Sequence, residues 1–136
     1  MSRSHCISSA ALLTTLLLGF GADVHARTQP VYNVVDKAIH TGSGRTLTLE
    51  EVGNVLAGAA RYKRWSVAKV EEGYLRAEIH VRKHFAAIDI RYTPETYSIS
   101  YRDSEVLRYD GSNIHRNYNK WIKLVEQEAD LSFASK

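Results

Sequence analysis

Apolar and polar residues alternate through three successive runs in the second half of the chain. Leu75, Ala77, Ile79 and Val81 oppose Arg76, Glu78 and His80; Ala86, Ile88, Ile90 and Tyr92 oppose Ala87, Asp89 and Arg91; Tyr97, Ile99 and Tyr101 oppose Ser98, Ser100 and Arg102. A period of two predicts strands over residues 74–82, 84–92 and 96–103, each with one covered face. Residues 65–71 add a further strand ahead of the Glu72-Gly73 turn. Links as short as Arg82-Lys83 leave no room for a crossover helix, so the four strands form an antiparallel meander.

A helical period brackets these strands. Thr48 and Glu51 have the spacing of a capping box, and Leu47 and Val52 that of a hydrophobic staple. Val52, Val55, Leu56, Ala59 and Ala60 continue as one apolar stripe. Gly53 and Gly58 each cost about 1 kcal/mol relative to alanine within a helix, and both leave room for close packing on a sheet. A second helix is expected over residues 114–130, capped by Ser112 or Asn113, with Ile114, Tyr118, Trp121, Ile122 and Val125 facing inward. The expected fold is therefore α+β: a four-stranded antiparallel meander with two helices packed on one face, in the order α-β-β-β-β-α, over residues 47–130. Residues 27–46 read as a flexible lead-in punctuated by Pro30 and Gly42-Ser43-Gly44, with an optional short edge strand at 31–35. Residues 131–136 read as a frayed tail.

The first 26 residues follow another logic. Arg3 precedes an apolar run at residues 10–20, and Val24-His25-Ala26 ends the segment with a signal-peptidase pattern. The run is too short to span a bilayer. Cleavage is expected after Ala26, which makes this a periplasmic or secreted protein with no transmembrane helix in the mature chain. Cys6, the only cysteine, leaves with the segment, so the mature domain is expected to lack disulfides, thiolate metal sites and cysteine nucleophiles. The formal charge of +3 survives cleavage because Arg3 and Asp23 cancel. This mild excess permits attraction to anionic surfaces, and with no dense basic run it does not point to nucleic acid.

Candidate chemistry is sparse. His80 and His84 flank a tight turn, but alternation sends them to opposite faces, and no cofactor or metal is expected. Glu78 and Asp89 could pair across strands on the polar face; Arg76 and Arg91 beside them favour a salt-bridge ladder over an acid/base pair. No catalytic residue is assigned. Tyr92, Tyr97 and Tyr101 share the parity of the core isoleucines, which makes them core residues with polar tips.

One local rule is broken. His115, Arg116, Lys120 and Lys123 occupy the N-terminal half of the second helix, and Glu126, Glu128 and Asp130 its C-terminal half. This opposes the helix dipole at a cost of about 0.3–1 kcal/mol for each end charge. A positive helix start with added cations suits an anion, so Arg108, His115, Arg116 and Lys120 are the candidate binding residues, with His115 expected to tighten binding below about pH 6.5.

The segments Ser104-Glu105-Val106-Leu107-Arg108-Tyr109-Asp110-Gly111 and Ile114-His115-Arg116-Asn117-Tyr118-Asn119-Lys120-Trp121 carry the pattern S-x-x-L-x-Y-D-G followed by I-H-x-x-Y-N-x-W. The chain thereby resembles a group of small uncharacterised bacterial envelope proteins, many of them apparent lipoproteins. It departs from the lipoproteins because no cysteine follows its apolar run. The resemblance carries no known activity and transfers no catalytic residue. Taken with the export pattern and the sparse chemistry, the chain is expected to be an exported, non-enzymatic binding or accessory module whose partner is an anionic envelope component or a protein. The alternative is a small hydrolase or metal-dependent enzyme using the polar sheet face around Glu78, His80 and Asp89.

Overall fold

The computed structural model describes residues 27–136; the expected signal segment and its cleavage after Ala26 lie outside them. The described elements run β1 (Thr28–Pro30), β2 (Val34–Ala38), α1 (Leu49–Tyr62), β3 (Ser66–Glu71), β4 (Tyr74–Val81), β5 (His84–Tyr92), β6 (Thr96–Glu105), β7 (Asn113–His115) and α2 (Arg116–Ala134). The class is α+β, as expected, and the consecutive strands β3 to β6 pair antiparallel through short turns.

The sheet, however, has five strands where four were expected, in the order β2-β6-β5-β4-β3. The added strand comes from the lead-in. β2 pairs with β6 at Val34↔Ile99 and Lys37↔Tyr97, and a register shift between these pairs puts Asp36 in the left-handed region at φ 44°. Interrupted alternation is what hides this strand from a search for period two. Since β2 and β3 lie at opposite edges, α1 carries the chain across the sheet. The lead-in also contributes β1, which joins β7 in a separate two-stranded sheet.

The capping box at Thr48 forms: its hydroxyl accepts from the Glu51 N–H at 3.1 Å, and the Glu51 carboxylate accepts from the Thr48 N–H at 2.8 Å. Gly53 then meets the sheet. A Cβ there would lie 2.5 Å from the Tyr92 hydroxyl, whereas one on Gly58 would meet nothing within 4 Å. Close packing therefore accounts for the first glycine only. Leu75, Ala77 and Ile79 of β4 and Ala86, Ile88, Ile90 and Tyr92 of β5 are buried, and Tyr97 and Ile99 of β6 join them; Val81 is half-buried, while Ala87, expected outward, is buried as well. Tyr97 packs on Phe133 and Tyr101 on Tyr118, so α2 meets the same sheet parity that α1 meets at Tyr92.

Both ends of the domain differ from expectation. The tail is ordered as helix to Ala134 because Phe133 is 1% exposed in the core. Glycines 42 and 44 belong to a docked turn: the Ser43 N–H donates to the Lys136 carbonyl at 2.9 Å, and a Cβ on Gly42 would lie 2.3 Å from the Ala134 carbonyl oxygen. The second helix begins at Arg116, two residues later than expected. Ile114 and His115 are drawn into β7 by pairing with Gln29 and Thr28. No described helix is long and apolar enough to cross a membrane.

Candidate functional site

The start of α2 is capped by a histidine. His115 Nδ1 accepts a hydrogen bond from the Asn117 N–H at 3.2 Å, and the Arg116 N–H donates to the Arg27 carbonyl at 3.0 Å. Two of the N–H groups left over at a helix start are thus already satisfied. The expected open dipole end is partly closed, and cationic side chains rather than bare backbone define this corner.

Those side chains are grouped closely enough to act on one another. Burial first, then the charges of His84, Arg116, Arg108 and Arg27, hold the His115 pKa below its ordinary value. His84 lies 6.1 Å from His115 and 6.5 Å from Trp121, ring centroid to ring centroid. Among the described residues Arg108, Arg116 and Lys120 form no ion pair within 4.0 Å. Arg116 and Lys120 line one cleft of about 440 Å³ with Gln29 and Asn117, while Arg108 opens into a separate cleft beside Tyr109. The four expected residues therefore surround one end of the domain without sharing a single pocket. The Nδ1 of His115 is engaged as an acceptor, and burial first, then the surrounding cations, lowers its pKa, which opposes the expected tightening of anion binding below about pH 6.5.

Asn119 was missed in the sequence. It is the one buried polar residue of the described chain, at 5% exposure. Its side-chain oxygen accepts from the Tyr32 N–H at 2.9 Å, and its amide donates to the Pro30 carbonyl at 2.9 Å and to Gln29 at 3.4 Å. These bonds hold β1 and the following residues against α2. The signal was its place beside Tyr118 in the I-H-x-x-Y-N-x-W segment, on the inward side of the helix.

The acidic half of α2 is likewise explained by the lead-in. Lys37 donates to Glu126 and Asp130, each at 2.5 Å. The Tyr32 hydroxyl donates to Glu126 at 2.6 Å, and the Tyr97 hydroxyl to Asp130 at 2.7 Å. Burial, followed by the hydrogen bond to Asp130, pushes the Tyr97 pKa far above its ordinary value. Glu128 pairs with Lys63 at 3.7 Å. Each adverse charge in this half thus meets a lysine from outside the helix.

On the polar sheet face, Asp89 is the hub of a cation-rich group. Its carboxylate accepts from the Tyr74 hydroxyl at 2.5 Å and from Arg102 at 3.3 Å, with Arg76 at 3.9 Å. Glu78 lies opposite Ala87 and Ser66 rather than beside Asp89. His80 packs on Phe85, on the face opposite His84. Arg102 also lines the cleft beside Tyr109.

Fold and corner together define a class: an α+β domain with a five-stranded antiparallel sheet and a cationic end built around a histidine-capped helix. Comparison with protein-family models, with curated proteins and with solved structures finds no match to this chain.

Proposed function

We propose that this chain is an exported, non-enzymatic binding or accessory domain of the bacterial envelope, and that its cationic corner takes an anionic group. The observation that carries the reading is electrostatic. Arg27, Arg108, Arg116 and His84 all act on His115 with the same sign, and none of the three arginines is paired with a carboxylate among the described residues. Like charges held together raise the energy of the empty corner, and an anion lowers it. Arg116 and Lys120, one helical turn apart on an open cleft, are the residues best placed to meet it. Export is supported by the apolar run at residues 10–20, the Val24-His25-Ala26 ending, and the resemblance to small envelope proteins.

The test is an NMR titration with inorganic phosphate at two salt concentrations. Shifts are expected at Asn113 to Tyr118, weaker at high salt because exposed charges are screened over about 8–10 Å at physiological ionic strength. Arg116→Ala should remove them. Saturating phosphate that moves nothing in this segment would overturn the anion reading. Intact-mass measurement of the cell-produced protein tests export: a soluble chain retaining Met1 to Ala26 would overturn it.

A further inference from the structure

The cationic corner is one side of a larger pole. Arg82-Lys83 is the turn between β4 and β5, and His84, next in the chain, lies against His115 and Trp121. Phe85 pairs with Glu105 at the end of β6, so the loop that follows β6 leaves the sheet beside that turn. The loop is tied to the helix start where the His115 N–H donates to the Leu107 carbonyl at 2.8 Å, and Arg27 joins through its bond to Arg116. Six cationic side chains thus gather at one end: Arg27, Arg82, Lys83, Arg108, Arg116 and Lys120. Of the acids there, Asp110 is engaged by the Ser112 and Asn113 N–H groups at 2.9 and 2.7 Å, Asp103 accepts from the Ser104 N–H at 2.8 Å in the cleft that Arg108 and Tyr109 line, and Glu105 stands at the edge, so cations outnumber acids six to three.

The same loop presents apolar surface. Val106 is 52% exposed and Tyr109 42% exposed, on either side of buried Leu107 and cationic Arg108. Val106 sits at φ 61°, a conformation strained for a β-branched residue, so neither backbone preference nor core burial accounts for a valine here. Arg82 and Arg108 also sit at positive φ, 56° and 55°. A ring of cations around an exposed aliphatic and an exposed tyrosine matches a phospholipid interface, where anionic headgroups lie just above the acyl boundary and tyrosine partitions to the headgroup level.

We propose that this pole docks the domain on an anionic phospholipid surface, with Arg82, Lys83, Arg108 and Arg116 on headgroup phosphates and Val106 and Tyr109 entering the interface. This rests on the anion reading above and names its partner. A protein partner fits less well, because the apolar area is confined to the two side chains of one short loop while the cations come from four separate segments.

The experiment is vesicle co-sedimentation of the protein in the form cells release, on phosphatidylglycerol-containing and on purely phosphatidylcholine vesicles, at low and high salt. Binding is expected on the anionic vesicles at low salt and should fall steeply at high salt. Arg82→Gln with Lys83→Gln should weaken it about fivefold per cation removed. Both residues lie in an exposed turn, and a thermal melt checks that the variant folds. Val106→Ser with Tyr109→Ser should weaken binding with little change in its salt dependence. Phosphate-induced shifts at Arg116 without vesicle binding would overturn the lipid proposal and leave the anion reading standing. Anionic-vesicle binding lost in the Arg82→Gln, Lys83→Gln variant, with no phosphate shift, would support the lipid surface and overturn the small-anion site. Equal binding to both vesicle types would overturn the proposal. So would binding only to native membranes, abolished by protease treatment, which would assign the pole to a protein.

Discussion

At the scale of single residues, two glycines in one helix should behave oppositely. Gly58→Ala meets open space and gains helix propensity, so α1 should be stabilised by up to about 1 kcal/mol. Gly53→Ala drives a Cβ to 2.5 Å from the Tyr92 hydroxyl, and the displaced ring should cost about 1–3 kcal/mol despite the same propensity gain. Denaturant melts of the two variants separate these effects; a stabilised Gly53→Ala would mean that Tyr92 gives way freely. His115 makes a pH prediction. Its folded pKa is depressed, by burial first and then by His84, Arg116, Arg108 and Arg27. The neutral ring therefore contributes stability that is present above the unfolded value of about 6.5 and is lost as pH falls through the folded value. Glu51 belongs to a lower window, since its hydrogen bonds to Arg45 and then to Thr48 bring it down to about 2. His115→Asn retains a capping acceptor and should flatten the loss of stability that sets in as pH falls below about 6.5, leaving the carboxylate-dependent loss at lower pH. Melts of both proteins across this range would refute the prediction if the slopes were identical.

At the scale of elements, α2 looks wrongly charged in isolation and is correctly charged in place. The rule that puts acids at a helix start concerns a helix without neighbours. Here Glu126 and Asp130 face Lys37 of the edge strand, and Glu128 faces Lys63 at the end of α1. Lys37→Met should cost about 1–2 kcal/mol, less than a fully buried pair because the lysine keeps 37% exposure. Lys120→Met, in the unpaired half of the same helix, should stay within about 0.5 kcal/mol of wild type. Equal losses in urea melts would count against the role of Lys37. The charge order of the helix was plain in the sequence; the reason for it was not, because the compensating lysine lies 89 residues away from Glu126.

At the scale of the whole molecule, neighbouring residues of one strand meet opposite surroundings. Ile90 is fully buried, so Ile90→Asp should cost several kcal/mol or abolish folding by placing an unpaired charge in the core, roughly the 2–7 kcal/mol range of a buried polar group or more. Arg91 lies outside, 4.0 Å over the Tyr74 ring, and Arg91→Ser should cost at most about 1 kcal/mol. Similar melting temperatures for the two variants would show that the covered face is misassigned. The alternation that separates these neighbours is local; it made the inward face of β4 to β6 legible, and with the short links and the helical period it gave the antiparallel pairing and the α+β class. Period two and period 3.6 need only the chain's own geometry. The capping box at Thr48 was legible for the same reason. The extent and pairing of the fifth strand, beyond an optional edge strand at 31–35, and the Asn119 clamp were not, because each depends on a partner distant in sequence; the His115 cap bonds Asn117 nearby, but the helix start is set there by the pairing of Ile114 and His115 with Gln29 and Thr28. Lys37 is recognisable as part of a sheet only beside Tyr97, and Asn119 as a structural residue only when Tyr32 and Pro30 arrive to bond it. For the candidate site, Arg108, His115, Arg116 and Lys120 were readable as a local excess of charge around a helix start. That Arg27 and His84 join them, and that the histidine serves as a neutral cap, was decided by tertiary structure, since electrostatic surroundings are a property of spatial neighbours and not of sequence order.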